Sequence, residues 1–156
     1  MTKYISFDQS TTATAYCIWI DGKYFQHGVI NLKKIKEADL RFDQMARSII
    51  QLLEQEKPQV ITIEDTALQT NAKTLKDLAQ LQGVIMGYCL ANNISFTVYS
   101  PTKWRAILHF KTGKGVKRPE LKQQAIDYVL EKYNITASED ECEAIAIGSA
   151  VLLEYQ

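Results

Sequence analysis

The spacing of apolar and polar residues predicts five short strands. Apolar residues alternate with other side chains or form β-branched runs in each of them, and the Asp21-Gly22 pair is typical of a two-residue hairpin turn. The predicted strands span residues 3–8, 13–20, 23–32, 59–64 and 94–99. The first three follow one another closely, so they form an antiparallel meander.

Between and after these strands the apolar residues recur at helical spacing. Ser100-Pro101 and Ser138 with Glu141 are typical helix starts, since each supplies a side-chain cap. The predicted helices span residues 36–57, 71–92, 101–108, 119–134 and the segment from 139 onward. A meander followed by strand–helix crossovers predicts an α/β fold, with a mixed five-stranded sheet flanked by helices.

Length and composition limit the class of protein. The chain has 156 residues, of which 46% are hydrophobic and 23% charged, and this predicts one domain over residues 1–156. Its longest apolar runs are far shorter than the roughly 20 residues of a membrane span. Asp8 interrupts the N-terminal apolar run, which argues against a signal peptide, so we expect a cytoplasmic protein without a membrane partner.

The charges are segregated along the chain although they cancel overall. Residues 103–122 hold seven basic residues and one acidic residue, which leaves 11 basic and 17 acidic residues elsewhere. A basic segment of this kind favours a nucleic-acid partner, because a binding surface responds to local potential. The phosphate-binding candidates are Lys111, Lys114, Lys117 and Arg118 in a glycine-containing loop, together with Asn71 and Lys73 after the fourth strand.

Acidic residues fall at three places that the fold can bring together. Asp8 ends the first predicted strand, Glu64 ends the fourth, and Asp140 and Glu143 share one face of the last helix. Clustered carboxylates repel one another unless cations neutralise them. Hard oxygen ligands without nearby His or Cys favour Mg²⁺ or Mn²⁺, and a two-metal site of this kind suits hydrolysis of a phosphodiester.

These motifs resemble those of one nuclease family. The stretches concerned are Phe7-Asp8-Gln9-Ser10-Thr11-Thr12, Ile61-Thr62-Ile63-Glu64, Leu78-Ala79-Gln80-Leu81-Gln82-Gly83-Val84 and Asp140-Glu141-Cys142-Glu143-Ala144. Together they resemble the RuvC-type Holliday junction resolvases of the ribonuclease H-like superfamily, most of all the short bacteriophage versions. A phage-encoded enzyme would work in the host cytoplasm.

The resemblance implies a fold, an activity and site residues. It implies a ribonuclease H-like fold and a magnesium-dependent homodimer that cuts four-way DNA junctions by paired nicks. Carried over by position, Asp8, Glu64, Asp140 and Glu143 become the catalytic metal ligands, with Glu139 and Glu141 as substitutes if the register of the last helix shifts. Two equivalent cut strands suit a two-fold dimer, and the predicted interface is the face of the second helix with Leu81, Gly83, Ile85 and Gly87.

The chain also departs from the family pattern, and other functions stay open. Ala67 and Leu68 stand where the family often has an aromatic residue after the glutamate that corresponds to Glu64. The resemblance therefore does not imply that this chain inserts a side chain between bases at the junction. One alternative is a nuclease of the same fold that acts on structured RNA or on an RNA–DNA hybrid. Another is a phosphotransferase of the actin-like superfamily, which Phe7 to Thr12 also resembles, although such enzymes need two domains. A junction-binding protein without catalysis is a third.

Overall fold

The computed structural model describes residues 1–66 and 71–155, and it confirms the predicted order of elements. The strands are β1 (Lys3–Asp8), β2 (Ala13–Ile20), β3 (Lys23–Asn31), β4 (Val60–Glu64) and β5 (Ser95–Tyr99). The helices are α1 (Ala38–Glu56), α2 (Ala72–Ala91), α3 (Pro101–Ile107), α4 (Arg118–Tyr133) and α5 (Glu139–Glu154). Ala67 and Leu68, which stand where the family often has an aromatic residue, lie outside the described residues.

The five strands form one mixed sheet in the order β3-β2-β1-β4-β5. β1 pairs antiparallel with β2 and parallel with β4, so β1 occupies the centre of the sheet. Asp21 and Gly22 both have positive φ, as the predicted hairpin turn requires. Because β1 and β4 run in the same direction, their carboxyl ends, and with them Asp8 and Glu64, reach the same edge of the sheet.

Each face of the sheet carries its own hydrophobic core. One core packs α1 and α2 against the sheet around Ile5, Met45 and Ile61. The other packs α3, α4 and α5 around Trp19, Trp104 and Ile145. The fold therefore has three layers, with the sheet between two layers of helices.

Helix α5 approaches the sheet closely at Gly148. A Cβ atom added there would overlap Trp19 and Ser6, both buried side chains. Ser6 Oγ donates to the carbonyl of Ala144 at 2.8 Å and accepts from the Trp19 indole N–H at 3.0 Å. These contacts set the position of α5 over β1 and β2.

The burial pattern of α2 shows that the dimer interface predicted from the sequence was wrong in part. Leu81 and Ile85 are fully buried in the α1–α2 core, so they cannot belong to an interface between copies of the chain. Gly83 and Gly87 lie on the exposed face of α2, with open space around the position of an added Cβ. Leu81 and Ile85 thus pack in the core between α2 and the sheet, whereas Gly83 and Gly87 face outward.

The three cysteines, Cys17, Cys89 and Cys142, are free and buried. Burial raises the pKa of the Cys17 and Cys142 thiols and brings that of Cys89 to about 11. All three therefore stay protonated at neutral pH. Within the described residues no helix combines the length and apolar character needed to cross a membrane.

Candidate active site

Four carboxylates from three distant parts of the sequence line one cleft. Asp8 and Glu64 end the adjacent parallel strands β1 and β4, while Asp140 and Glu143 lie in the N-terminal part of α5. All four border an open cleft of about 470 Å³ at this edge of the sheet. The structure thus brings together the four residues that the sequence nominates as catalytic.

The cluster repels its own negative charge. Burial is the main cause that raises the pKa of Asp8 well above its ordinary range, and the carboxylates of Glu64, Glu143 and Asp140 raise it further. Burial likewise raises the pKa of Glu64 to about 7, although the hydrogen bond from Trp104 opposes this shift. At neutral pH the cleft therefore takes up either protons or cations.

The donor chemistry of the cleft fits a hard divalent cation. Its acidic lining residues offer only oxygen donors, which Mg²⁺ and Mn²⁺ prefer. Within residues 1–66 and 71–155, however, no three side chains are yet grouped to hold one ion. A side-chain interaction with Glu143 also raises the pKa of Asp8. Asp8, Glu64, Asp140 and Glu143 would hold such a cation, and its charge would offset their mutual repulsion.

The raised pKa values predict how the stability of the metal-free protein depends on pH. Between the ordinary and the raised pKa values the folded state binds more protons than the unfolded state, so stability falls as pH rises. We expect the free energy of unfolding to drop by about 1–3 kcal/mol from about pH 5 to about pH 8. Urea unfolding in the presence of a chelator measures it. Mg²⁺ should restore stability at the higher pH, and a flat profile would contradict the assigned shifts.

Gln9 bridges the two strand ends that carry Asp8 and Glu64. Its side-chain amide donates to the backbone carbonyl of Glu64 at 2.7 Å, and its side-chain oxygen accepts from the Glu64 backbone N–H at 3.2 Å. The backbone register between β1 and β4 extends only to the pair Ser6 and Thr62. Gln9 therefore continues the pairing of the two chains with a side chain and fixes the separation of the two carboxylates.

Trp104 holds the Glu64 side chain. Its buried indole N–H donates to Glu64 Oε2 at 2.7 Å, so the tryptophan belongs to the core and also orients this carboxylate. Arg105 places its guanidinium carbon 5.1 Å from the centre of the Trp104 ring and lines the same cleft. Among the described residues its buried Nε atom has no hydrogen-bond partner. The sequence alone did not indicate that Gln9 and Arg105 are site residues.

The basic loop reaches the cleft through one of its four nominated residues. Arg118 lines the cleft at the start of α4, and its charge lowers the pKa of Glu64. Lys111, Lys114 and Lys117 are exposed and lie outside the lining of the cleft. Lys122, which the sequence analysis did not nominate, lines the cleft and pairs with Glu139 at 3.0 Å.

Asn71 and Lys73 have other partners in the structure. The Asn71 side chain caps α2 by accepting from the backbone N–H groups of Lys73 and Thr74. The Lys73 ammonium lies 3.4 Å from Asp77. Neither residue belongs to the lining of the cleft, so their contact with nucleic acid stays a prediction.

The two substitute carboxylates are engaged outside the cleft. Glu139 pairs with Lys122, whereas Glu141 lies 3.2 Å from His27 and accepts from the Ser138 hydroxyl at 2.8 Å. Neither residue lines the cleft. This arrangement favours Asp140 and Glu143 as the carboxylates that α5 contributes.

Comparison with known proteins decides the family. Residues 14–151 match the family described as crossover junction endodeoxyribonuclease RuvC. The chain belongs to the RuvC family. Relatives include the RuvC of Fusobacterium nucleatum, 29% identical over 149 residues that cover 93% of this chain and 77% of the relative. The RuvC of Syntrophomonas wolfei is 25% identical over 158 residues, which cover 99% of this chain and 90% of that relative.

Solved structures share the fold of this RuvC-family chain. The Thermus thermophilus RuvC in complex with Holliday junction substrate aligns with a TM-score of 0.72 at 11% identity, covering 99% of this chain and 95% of that one. The Fowlpox virus resolvase with substrate Holliday junction DNA aligns with a TM-score of 0.68 at 17% identity, covering 99% of both. These alignments confirm the predicted ribonuclease H-like resolvase fold. Membership in an endodeoxyribonuclease family also argues against the phosphotransferase alternative.

Proposed function

We propose that this RuvC-family enzyme resolves four-way and other branched DNA junctions by hydrolysing phosphodiesters in the carboxylate cleft. The observation that carries the proposal is the meeting of Asp8, Glu64, Asp140 and Glu143 beside the guanidinium groups of Arg105 and Arg118. Its relatives are crossover junction endodeoxyribonucleases, and two of its structural neighbours are complexes with Holliday junction DNA, which supports this substrate class.

The family consists of divalent-metal-dependent nucleases. For this chain we propose that the metal is Mg²⁺ and that Mn²⁺ can replace it. Asp8, Glu64, Asp140 and Glu143 would hold the metal. When bound, such ions activate a water molecule and stabilise the leaving oxygen of the phosphodiester. The raised pKa values of Asp8 and Glu64 support this assignment, because a divalent cation would take the place of the protons that the cluster otherwise binds.

The remaining residues of the cleft orient groups and bind phosphate. Trp104 and Gln9 hold the side chain and the backbone of Glu64, respectively. Arg105 and Arg118 present guanidinium groups to the cleft, and one guanidinium group can bind two phosphate oxygens at once. The unpartnered Nε of Arg105 supports this role, since a buried donor gains most from an incoming acceptor.

The exposed lysines of the loop extend the basic surface away from the cleft. Lys111, Lys114 and Lys117 would contact the backbone of the junction arms without reading bases. Gly113 and Gly115, with φ of +100° and +92°, give the loop a backbone course that other residues rarely adopt. We therefore assign the loop to affinity rather than to chemistry.

Removing charge at the start of α4 should reduce the salt dependence of junction binding. In Lys117→Ala with Arg118→Ala, the slope of log affinity against log salt should fall by about two, because each phosphate contact contributes about one. Fluorescence titrations at several salt concentrations measure it. The control is Lys23→Gln with Lys132→Gln, two exposed lysines around a hollow at the opposite end of the sheet. Equal slopes in the two double variants would remove the loop from the interface.

Two active sites acting on two equivalent strands require two copies of the chain, so we propose a homodimer. The exposed face of α2 is the proposed interface, because Gly83 and Gly87 leave room for close approach and Leu90 is 71% exposed. Leu90→Glu should yield a monomer in sedimentation that nicks junctions without pairing the nicks. The control is Leu130→Glu, which changes a leucine on α4 that is 47% exposed. A wild-type monomer at micromolar concentration would contradict the dimer.

Cutting of defined substrates tests the proposed activity directly. An end-labelled four-way junction should receive paired symmetric nicks in Mg²⁺, whereas the matched linear duplex should stay intact. The same assay with structured RNA and with an RNA–DNA hybrid tests the alternative nuclease substrates. Preference for either of these over the junction would contradict the proposal.

A further inference from the structure

A chain of polar contacts joins the first turn of α5 to the edge strand β3. His27 Nε2 lies 3.2 Å from Glu141 Oε2, and His27 Nδ1 lies 2.8 Å from the Tyr24 hydroxyl. The His27 and Glu141 side chains are only 21% and 17% exposed. The other oxygen of the Glu141 carboxylate accepts from the Ser138 hydroxyl, and the Glu141 backbone N–H donates to Ser138. Both ring nitrogens of His27 and both oxygens of Glu141 are thus engaged.

Glu141 is adjacent in sequence to Asp140 yet faces a different direction. Residues three apart share a helix face, so Asp140 and Glu143 point together into the cleft, whereas the next residue is rotated by about 100°. Holding the Glu141 side chain against β3 therefore fixes the rotation of α5 about its own axis. Gly148 fixes how closely α5 approaches the sheet farther along the helix, so the two contacts constrain different movements.

The ring of His27 is held by an aromatic group. It lies 6.0 Å from the ring of Tyr24, which in turn packs against Trp19 and Tyr133. Trp19 is buried and bonded to Ser6 beneath α5. The contact at Glu141 is therefore anchored in the core rather than in a mobile surface side chain.

We propose that His27, acting through Glu141, is a positioning residue that aims Asp140 and Glu143 at the cleft. The inference rests on the proposed function, in which these two carboxylates hold the metal. His27 touches neither the proposed metal ligands nor the substrate cleft. Residues that orient metal ligands in this indirect way typically change metal affinity or activity by about 10–100-fold when they are replaced.

The alternative is that the pair contributes only to stability, and the chain contains a matched pair that tests this. Lys3 and Glu56 lie 3.0 Å apart with side chains 21% and 24% exposed, and they join β1 to α1. Lys3 begins β1, so this pair lies at the opposite end of the strand from Asp8. Loss of either pair should cost comparable stability, but only the His27 pair should affect chemistry.

The experiment compares His27→Leu, His27→Gln and Lys3→Met in the full-length chain. It measures thermal unfolding, junction affinity and single-turnover cutting of a four-way junction over a range of Mg²⁺ concentrations. In His27→Leu we expect cutting at limiting Mg²⁺ to fall about tenfold or more and half-saturating Mg²⁺ to rise about tenfold, with junction affinity changed less than about twofold. His27→Gln should recover most of the rate, because its amide can donate to Glu141. Lys3→Met should cut within about twofold of wild type.

A second variant and a second measurement keep the outcomes distinct. Tyr24→Phe removes only the hydroxyl that orients His27, and should shift the Mg²⁺ dependence in the same direction by a smaller factor. If His27→Leu and Tyr24→Phe cut like Lys3→Met at every Mg²⁺ concentration, the positioning role is wrong. If the wild type does not cut junctions, the proposed function fails instead. Binding of Mn²⁺, followed by electron paramagnetic resonance, then decides the positioning role, which equal affinities in wild type and His27→Leu would overturn.

Discussion

Replacing Asp8 by Asn should abolish the cutting of a four-way junction while junction affinity stays within a few-fold of wild type. The substitution keeps the size of the side chain and the end of β1 but removes one carboxylate of the cluster. A loss of at least about 10³-fold in single-turnover rate is expected if Asp8 holds the metal, whereas phosphate binding by Arg105 and Arg118 is unaffected. Cutting and binding of one labelled junction measure both quantities.

Two controls separate loss of chemistry from loss of structure. Asp65→Asn changes an exposed carboxylate at the margin of the same cleft and should cut within a few-fold of wild type. Asp8→Asn should also make the metal-free protein more stable at about pH 8, because it removes a carboxylate whose raised pKa destabilises the folded state there. Near wild-type cutting by Asp8→Asn would show that the site assignment is wrong.

Gly148→Ala should destabilise the protein by about 3 kcal/mol, the largest loss we expect from adding one methyl group. The added Cβ would overlap Trp19 and Ser6, which are both buried, and would force α5 away from the sheet. The hydrogen bond between Trp19 and Ser6 would be broken or stretched. The free energy of unfolding in urea measures the loss, and Asp140 and Glu143 should lose their position with α5.

Glycines on α2 provide the control for this substitution. Gly83→Ala adds the same methyl group on a helix face that has open space around it within one chain, and because Gly83 lies in the proposed dimer interface, both variants are compared in the Leu90→Glu background. Gly83→Ala should raise stability by about 0.5–1 kcal/mol, because alanine favours the helix more than glycine does. If Gly148→Ala were as stable as Gly83→Ala, the close approach of α5 to the sheet would not be a determinant of the fold.

Local signals in the sequence predicted the elements of the fold well, because their causes are local. Asp21-Gly22 adopts the positive φ values of its turn, and Ser100 and Ser138 cap their helices as predicted. The interface assigned to Leu81 and Ile85 was wrong for the opposite reason. An apolar helix face shows that something covers it, but the covering element here is the sheet of the same chain.

The sequence predicted the carboxylates that line the cleft, but it did not indicate the residues that hold them in place. Asp8 and Glu64 are conspicuous because each ends a strand, and parallel strands deliver their ends to one edge. Gln9, Trp104 and His27 act on partners that lie 55, 40 and 114 positions away, and nothing in their immediate sequence reveals those contacts. Of the basic residues in the loop only Arg118 lines the cleft, because a run of charge in the sequence does not reveal which way its loop faces.

The burial of the three cysteines makes the chain suitable for site-specific labelling. Cys17, Cys89 and Cys142 are inaccessible and protonated at neutral pH, so a maleimide dye should leave the native chain unmodified. One cysteine introduced at an exposed position, such as Lys114→Cys in the basic loop, would then carry a single fluorophore without prior removal of native thiols. Energy transfer between this dye and a dye on a junction arm would report, molecule by molecule, when the loop closes on DNA and when the cut arms separate.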